Sequence, residues 1–393
     1  MAPSKSNITE QKDRRLTAQA IHELIASTLQ TYFPIDTSDG QYECEDIWDV
    51  LIAASVERIT VEMACEVLED APCGNTVRNA IQGILPEDEH IDPLEDQLNE
   101  VLVAHLPHKL LSRGLPCAVD FTELPYHGLH EEDDEYIRRG KAKSGTTHFH
   151  CYATLYTVKN NKRYTLAMVL VRQSEKAQAV LERLLKRAVD LGLRLKRLYL
   201  DRGFDNNGVI AWLKKQSFPS ILPLIIRGKE GGSRALLMGR KSYTTTYTRN
   251  SSIYGSESFP VHVVCKYSKG RYDRHGLVRF AYVVVGELLL TPQQVYEDYR
   301  FRFGIEASYR LMNQVRARTT SRSPVFRLLL VGLAFLMLNL WSYVKWEYLS
   351  VSSSGPRQIF HHLLPLARWR LWLWEVVKQR LGFLMEIVVP EPT

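Results

Sequence analysis

The chain has 393 residues, of which 45% are hydrophobic and 24% charged, a balance that excludes wholesale disorder and leaves room for two or three domains with a sizeable core. The net charge of +6 hides a split: residues 1–100 hold 6 Lys and Arg against 21 Asp and Glu, and residues 101–393 hold 44 against 23. A basic body of that kind suits a polyanionic partner, with an acidic piece ahead of it.

Residues 13–34 have a helical pattern, followed by a linker from Pro34 to Gly40. Residues 59–84 read as helix, break, helix, the break holding Pro72 and Gly74, with Asn75 or Thr76 as the cap of the second helix. That pair is either a helix-turn-helix DNA reader or an ordinary helical hairpin. The acidic tract 86–100 is expected to be exposed. From residue 115 the period changes. LPCAVDFTEL (115–124) is a buried strand. HFHCYATLYTV (148–158) and KRYTLAMVLVR (162–172) flank Lys159-Asn160-Asn161 as a hairpin. A helix (174–192), a strand (195–201), a helix (206–216) and a strand (220–228) follow. This order predicts an α/β fold, a mixed sheet with helices on its faces. Residues 229–290 alternate in YTTTYTR, FPVHVVCKY and VRFAYVVVGELLL, which predicts a β-rich insertion. The uncharged run 328–344 falls short of the ~20 residues a spanning helix needs and reads as a core helix, so no membrane is expected. Six scattered Cys without a CxxC, and no apolar run in the first fifteen residues, predict a cytosolic protein with reduced thiols.

The helix beginning near residue 293 carries YRFRFGIEASYR (299–310). Phe301, Ile305, Ser308, Met312 and Val315 form a predicted buried stripe, and Tyr299, Arg302, Glu306, Arg310 and Asn313 lie on another face. Between 299 and 327 there are seven Arg and one Glu. Ordinary i,i+4 pairing on a surface helix would explain Glu306 on its own. Two further acids change the balance: Asp120 and Asp201 each end a predicted strand, where open α/β sheets gather their sites. Hard divalent cations take carboxylate oxygens, and two-metal phosphoryl chemistry needs several from different elements. The arginines would then hold phosphates.

These residues resemble a DDE transposase with a ribonuclease H-like core, and more narrowly the insertion-sequence group with a Tyr-Arg-Glu-Lys signature. Tyr299, Arg302 and Glu306 match its first three positions, and Asn313 stands where the group has Lys. AVDFTELPYHG matches the region of the first catalytic Asp, Asp120. LYLDRGF matches that of the second, Asp201, with Arg202 beside it. The resemblance covers roughly 115–345 and implies two Mg²⁺ ions, replaceable by Mn²⁺, held by Asp120, Asp201 and Glu306. It also implies DNA contacts at Tyr299, Arg302, Arg310, Asn313, Arg316 and Arg202. The implied partners are the element's terminal inverted repeats and target DNA, with a homodimer in the synaptic complex of a cytoplasmic, nucleoid-associated prokaryotic protein. The implied domains are a helical one at 1–110, a catalytic core at 111–228 plus 291–350, the β-rich insertion at 229–290 and a helical tail at 351–393. The rival readings are a ribonuclease H-fold nuclease without strand transfer and an inactive DNA-binding remnant.

Weaker constellations remain. His148, His150 and Cys151 invite a zinc reading, but no second ligand pair has suitable spacing. Glu123 reads as an ordinary surface acid ahead of an aid to the metals, HEEDDE (130–135) as a solvated loop ahead of a cation-attracting one, and Arg138, Arg139, Lys141 and Lys143 as a mobile loop that contacts DNA or solvent alone. Trp212 or a Tyr of the insertion could stack on an unpaired base.

Overall fold

The computed structural model describes residues 15–386 apart from 39, 89, 108–109, 111, 113, 130–133, 160–161, 270–274, 287–288 and 352–356. The chain divides into two compact units, Leu85–Asn339 and the combination of Met1–Ile84 with Leu340–Thr393.

In the combined unit, α1 (Ala18–Tyr32), α2 (Cys44–Glu57), α3 (Val61–Val67) and α4 (Gly74–Ile84) come from the beginning of the chain. Helix α4 starts at Gly74, so Asn75 and Thr76 lie in its first turn instead of capping it. The Thr76 hydroxyl pairs with Cys73 Sγ, and the Asn75 Oδ1 accepts from Arg78. The late helix Leu366–Leu381 belongs to the same unit. Its Arg380 Nε donates to the buried Asp49 of α2 at 2.7 Å, and Asp49 also pairs with the buried His22 of α1.

The other unit is built on a mixed sheet of nine strands among the described residues. Its strands are β1 (Leu115–Pro125), β2 (Arg138–Lys143), β3 (Thr146–Lys159), β4 (Lys162–Val171), β5 (Leu195–Leu200), β6 (Ser220–Pro223), β7 (Tyr243–Ser251), β8 (Gly255–Lys269) and β9 (His275–Val285). The order runs β2-β3-β1-β5-β6-β9-β8-β7, and β4 pairs with β3 beyond β2. Strands β1, β5 and β6 are parallel; β3 and β9 are antiparallel to them. The β-rich stretch is therefore no separate layer, because its three strands continue the same sheet. Strand β6 stops at Pro223, short of the expected residue 228. Leu224 N–H still donates to the Ala281 carbonyl of β9, and beyond it side chains accept from the amides, Asp205 from Ile225 N–H and Ser233 from Arg227 N–H. The basic stretch 138–143 is strand β2, not a loop.

Alternation along the strands separates two cores. Cys117, Val119, Ala153, Leu198 and Val283 pack with Val180, Leu181 and Leu184 of α6 (Ala177–Asp190) and Val209, Ile210 and Leu213 of α7 (Asn207–Lys215). On the opposite face Ala118, Tyr156, Tyr199, Ile221 and Val284 pack with Val295 and Tyr299 of α8 (Pro292–Tyr299) and Ile305 of α9 (Phe303–Met312).

Among the described residues no strand lies beyond β4, and buried side chains close its edge. Asn339 accepts from Thr165 N–H and donates to its carbonyl. Asn99 does the same for Met168, and Glu95 accepts from Leu170 N–H at 2.6 Å. Unpaired strand edges are otherwise templates for aggregation. Glu95 and Asn99 lie on α5 (Asp92–Val103), so the acidic tract is not uniformly exposed as expected. Glu95 is buried against Arg183, which donates to it at 3.0 Å. Helix α10 (Pro324–Tyr348) is long and apolar enough to cross a membrane, yet 78% of its apolar window is buried within the molecule, as in a core helix.

Candidate active site

The parallel pairing of β1 with β5 ends at Val119 opposite Leu200. The next residues on the two strands are Asp120 and Asp201, so the ladder itself brings two carboxyl groups side by side at its C-terminal limit. Asp120 does not end its strand as expected, because β1 continues to Pro125 along β3. It sits where β5 leaves β1. Alternation from Ala118 turns it toward the α8–α9 face.

The predicted continuous helix is broken. Helix α8 ends at Tyr299, residues Arg300–Arg302 form a 3-10 turn, and α9 begins at Phe303. The tighter turn rotates the register, leaving Phe301 exposed, while Ile305, Ser308, Met312 and Val315 of the expected stripe are buried. It also carries Arg302 inward, with only 8% of its side chain exposed. There its guanidinium meets all three acids. Nη1 donates to Asp120 Oδ2 at 2.8 Å, and Nη2 reaches Asp201 Oδ1 at 3.1 Å and Glu306 Oε1 at 3.2 Å. Three carboxylates, one within β1, one just past the end of β5 and one on a helix, thus converge on one cation.

Tyr299 supports this arrangement from below. Its hydroxyl donates to the Leu200 carbonyl at 3.0 Å, and its ring lies beside the Arg302 guanidinium. A further residue, not foreseen from sequence, is Tyr309. Its hydroxyl donates to the Asp120 carbonyl at 2.9 Å and lies 2.8 Å from the Thr154 hydroxyl. Thr154 faces Asp120 across the β1–β3 ladder, so Tyr309 ties α9 to both strands at the level of the acid. The only sequence signal was its place three residues after Glu306, on a neighbouring part of the helix surface.

Electrostatically the site is short of positive charge. Burial pushes the Asp120 carboxyl up to about 6; Arg302 pulls it back down and the neighbouring Asp201 adds to the rise. Arg302 is held above its ordinary value by Tyr299 and the three acids, against the effect of burial. Among the described residues no three His, Cys, Asp or Glu side chains are placed to hold a metal ion as they stand. At the triad the space between the acids is taken by Arg302. In donor type the three carboxylates fit a hard divalent cation, and their convergence on a guanidinium marks a place that attracts positive charge.

The other predicted contacts are spread around this centre. Arg202 is exposed in the 3-10 turn after Asp201, within electrostatic reach of the Tyr282 phenol. Arg310 and Asn313 are exposed at the end of α9, and Arg316 lies half-buried beyond it, within electrostatic reach of Tyr152. His150 is buried in the sheet against the edge of Tyr126, and burial drives it down to about 3, so the zinc reading of His148, His150 and Cys151 gains nothing. Trp212 packs against the α6–α7 core. Residues 130–133 of the acidic loop lie outside the described residues.

The transposase DDE domain family matches residues 113–340, more than half of the chain, and the chain belongs to that family. Comparison with curated protein sequences gives no match. Among solved structures, a piggyBac transposase, determined by cryo-electron microscopy as a synaptic complex with hairpin DNA, is similar with a TM-score of 0.52 at 11% identity. The likeness covers 95% of this chain and 82% of that one. At that identity it bears on fold alone, and it agrees with the ribonuclease H-like fold expected from the sequence.

Proposed function

We propose that the protein is an insertion-sequence transposase that cuts DNA at the ends of its element and joins those ends to target DNA. The observation that carries this reading is the convergence of Asp120, Asp201 and Glu306 around Arg302 at the end of the β1–β5 ladder. When bound, two Mg²⁺ ions, or Mn²⁺ in their place, supply activation of the attacking hydroxyl and neutralise charge on the leaving oxygen. Asp120 lies within β1, and Asp201 follows directly on the end of β5. Glu306 reaches the same guanidinium from a helix, with more than half of its side chain exposed. Arg302, Arg202, Arg310 and Arg316 hold backbone phosphates, with Asn313 as a neutral hydrogen-bonding group beside them. In cleavage a water oxygen attacks phosphorus and the P–O3′ bond breaks, leaving a 3′-hydroxyl and a 5′-phosphate. In joining, that hydroxyl attacks a target phosphodiester, one P–O bond forming as another breaks. The same groups serve both steps because only the nucleophile changes. Two ends held together call for two copies of the chain, so a homodimer on DNA is part of the reading.

The test is a cleavage and joining assay with Mg²⁺ on DNA carrying the element's ends, using wild type and Glu306→Gln. Cutting and joining in wild type, both lost in the variant, support the reading. Equal activity in the variant removes Glu306 from the site. Cutting without joining moves the assignment to a nuclease.

A further inference from the structure

The basic stretch 138–143 is an outer strand of the sheet, and its side chains sort by face. Arg138 stands opposite Phe149 and reaches Cys151, and a side chain at Gly140 would strike Phe149. Those residues share the α6–α7 face. Arg139 stands opposite His148 and Lys143 opposite Thr146. Along β3 the even positions 146, 148, 150, 152 and 154 share a face, and Thr154 stands opposite Asp120. Arg139 and Lys143, both exposed, therefore lie on the same face of the sheet as the three acids, and Lys141, also exposed, sits between them where the β2–β3 register shifts. From His148 to Thr154 is six residues of strand, about 20 Å.

The ground between is basic too. Arg327 lies over the Tyr126 ring at 5.3 Å, and both Arg316 and Arg327 are within electrostatic reach of Tyr152. The β1 and β3 positions on this stretch are Thr122, Leu124, His150 and Tyr152, with no carboxylate. Glu123 is on the other face, beside Gly140.

We infer that Arg139, Lys141 and Lys143 are the far end of a phosphate track that runs from the three carboxylates across β3 and binds the backbone of duplex DNA flanking the reacting phosphodiester. This rests on the reading of the site as one that acts on DNA. Alternate residues on a strand stand about 6.6 Å apart, a step that Lys and Arg side chains can fit to successive phosphates. Backbone phosphates carry no base identity, so a contact of this kind is indifferent to sequence.

The experiment measures binding of a short labelled duplex of random sequence by fluorescence anisotropy over a series of salt concentrations. The chains compared are wild type, the triple variant Arg139→Ala, Lys141→Ala, Lys143→Ala, and a charge-keeping variant Arg139→Lys, Lys141→Arg, Lys143→Arg. A control, Lys186→Ala with Lys215→Ala, removes two exposed lysines on α6 and α7, which cover the opposite face. Each lost phosphate contact lowers the slope of log affinity against log salt by about 0.9, so the triple variant loses roughly 2 to 3 and binds about 10- to 100-fold more weakly. The charge-keeping variant and the control behave as wild type. In cleavage of element ends the triple variant raises KM and leaves kcat unchanged. An unaltered affinity and slope in the triple variant overturns the track, as does an equal loss in the control, or an acidic polypeptide that competes as well as DNA. If wild type cuts its ends and the triple variant binds like it, the track alone falls. If wild type neither binds nor cuts DNA, the functional reading falls first and takes the track with it.

Discussion

Asp120 offers the sharpest test of how this site is built, because its carboxyl is charged at a cost. Burial, with Asp201 beside it, holds it at about 6 in place of 3.8. A group raised in the folded state binds more protons there than in the unfolded chain. Its contribution to stability is complete below about 3.8 and is lost as pH rises through 6. The loss is about 3 kcal/mol at pH 8 and about 1 kcal/mol at pH 4.5. Asp120→Asn imitates the protonated acid at every pH. It gives up about 1 kcal/mol through a poorer bond to Arg302 Nη1, and Arg302 keeps Asp201 and Glu306. The variant is therefore expected to be more stable than wild type by about 2 kcal/mol at pH 8 and nearly equal to it at pH 4.5. Urea unfolding in EDTA, followed by circular dichroism at several pH values, measures this. Adding Mg²⁺ is expected to stabilise wild type, which can bind it through an ionised Asp120, more than the variant. A variant less stable than wild type at pH 8, or a gain of the same size at both pH values, would refute the reasoning. DNA cleavage by the variant is expected to be lost throughout.

Two other substitutions test the supports of the site and sheet. Tyr309→Phe removes the bond to the Asp120 carbonyl and the partner of the Thr154 hydroxyl, and is expected to cost about 1–2 kcal/mol in urea unfolding. As a positioning residue it should lower kcat with KM unchanged; a normal kcat would leave it only structural. Glu95→Ala takes the acceptor from Arg183 and from Leu170 N–H at the β4 edge, an expected loss of about 3 kcal/mol. Glu95→Gln keeps the Leu170 bond and costs less. Burial raises the Glu95 carboxyl to about 7, so wild-type stability falls as pH rises toward 7 and the Gln variant has the flatter profile. A Gln variant with the wild-type slope would show that Glu95 is not the group titrating.

Most strands of the larger unit were legible, β2 excepted: β1, β3, β4 and β6 as near-continuous apolar runs bounded by turn residues, and β7 to β9 by alternation. Where the reading went astray, side chains had taken over the work of the backbone. β6 ends early because Asp205 and Ser233 accept the amides that a longer strand would offer to a neighbour. The acidic tract 86–100 read as solvated because charge is a local property. Its burial at Glu95 depends on Arg183, 88 residues away in the chain. The joining of β7, β8 and β9 to the sheet through β6 was likewise invisible, since pairing partners are not written in a strand's own pattern.

The site itself was legible in its acids and not in its geometry. Asp120 and Asp201 stood out because each closes an apolar strand pattern, and Glu306 because it is the single acid among seven arginines. What could not be read was the 3-10 turn at Arg300–Arg302. A uniform helical period put Phe301 on the buried stripe and Arg302 on a DNA-facing surface. The turn reverses both, exposing Phe301 and burying Arg302 among the acids. No residue in that stretch is a helix breaker. The break follows from tertiary forces: Tyr299 must reach the Leu200 carbonyl while Tyr309 reaches the Asp120 carbonyl one strand away. A straight α-helix places residues ten apart about 15 Å along its axis and almost a quarter-turn from the same face. A short, tighter turn between them reconciles the two anchors, and the residue it swings inward is the cation that three converging carboxylates require.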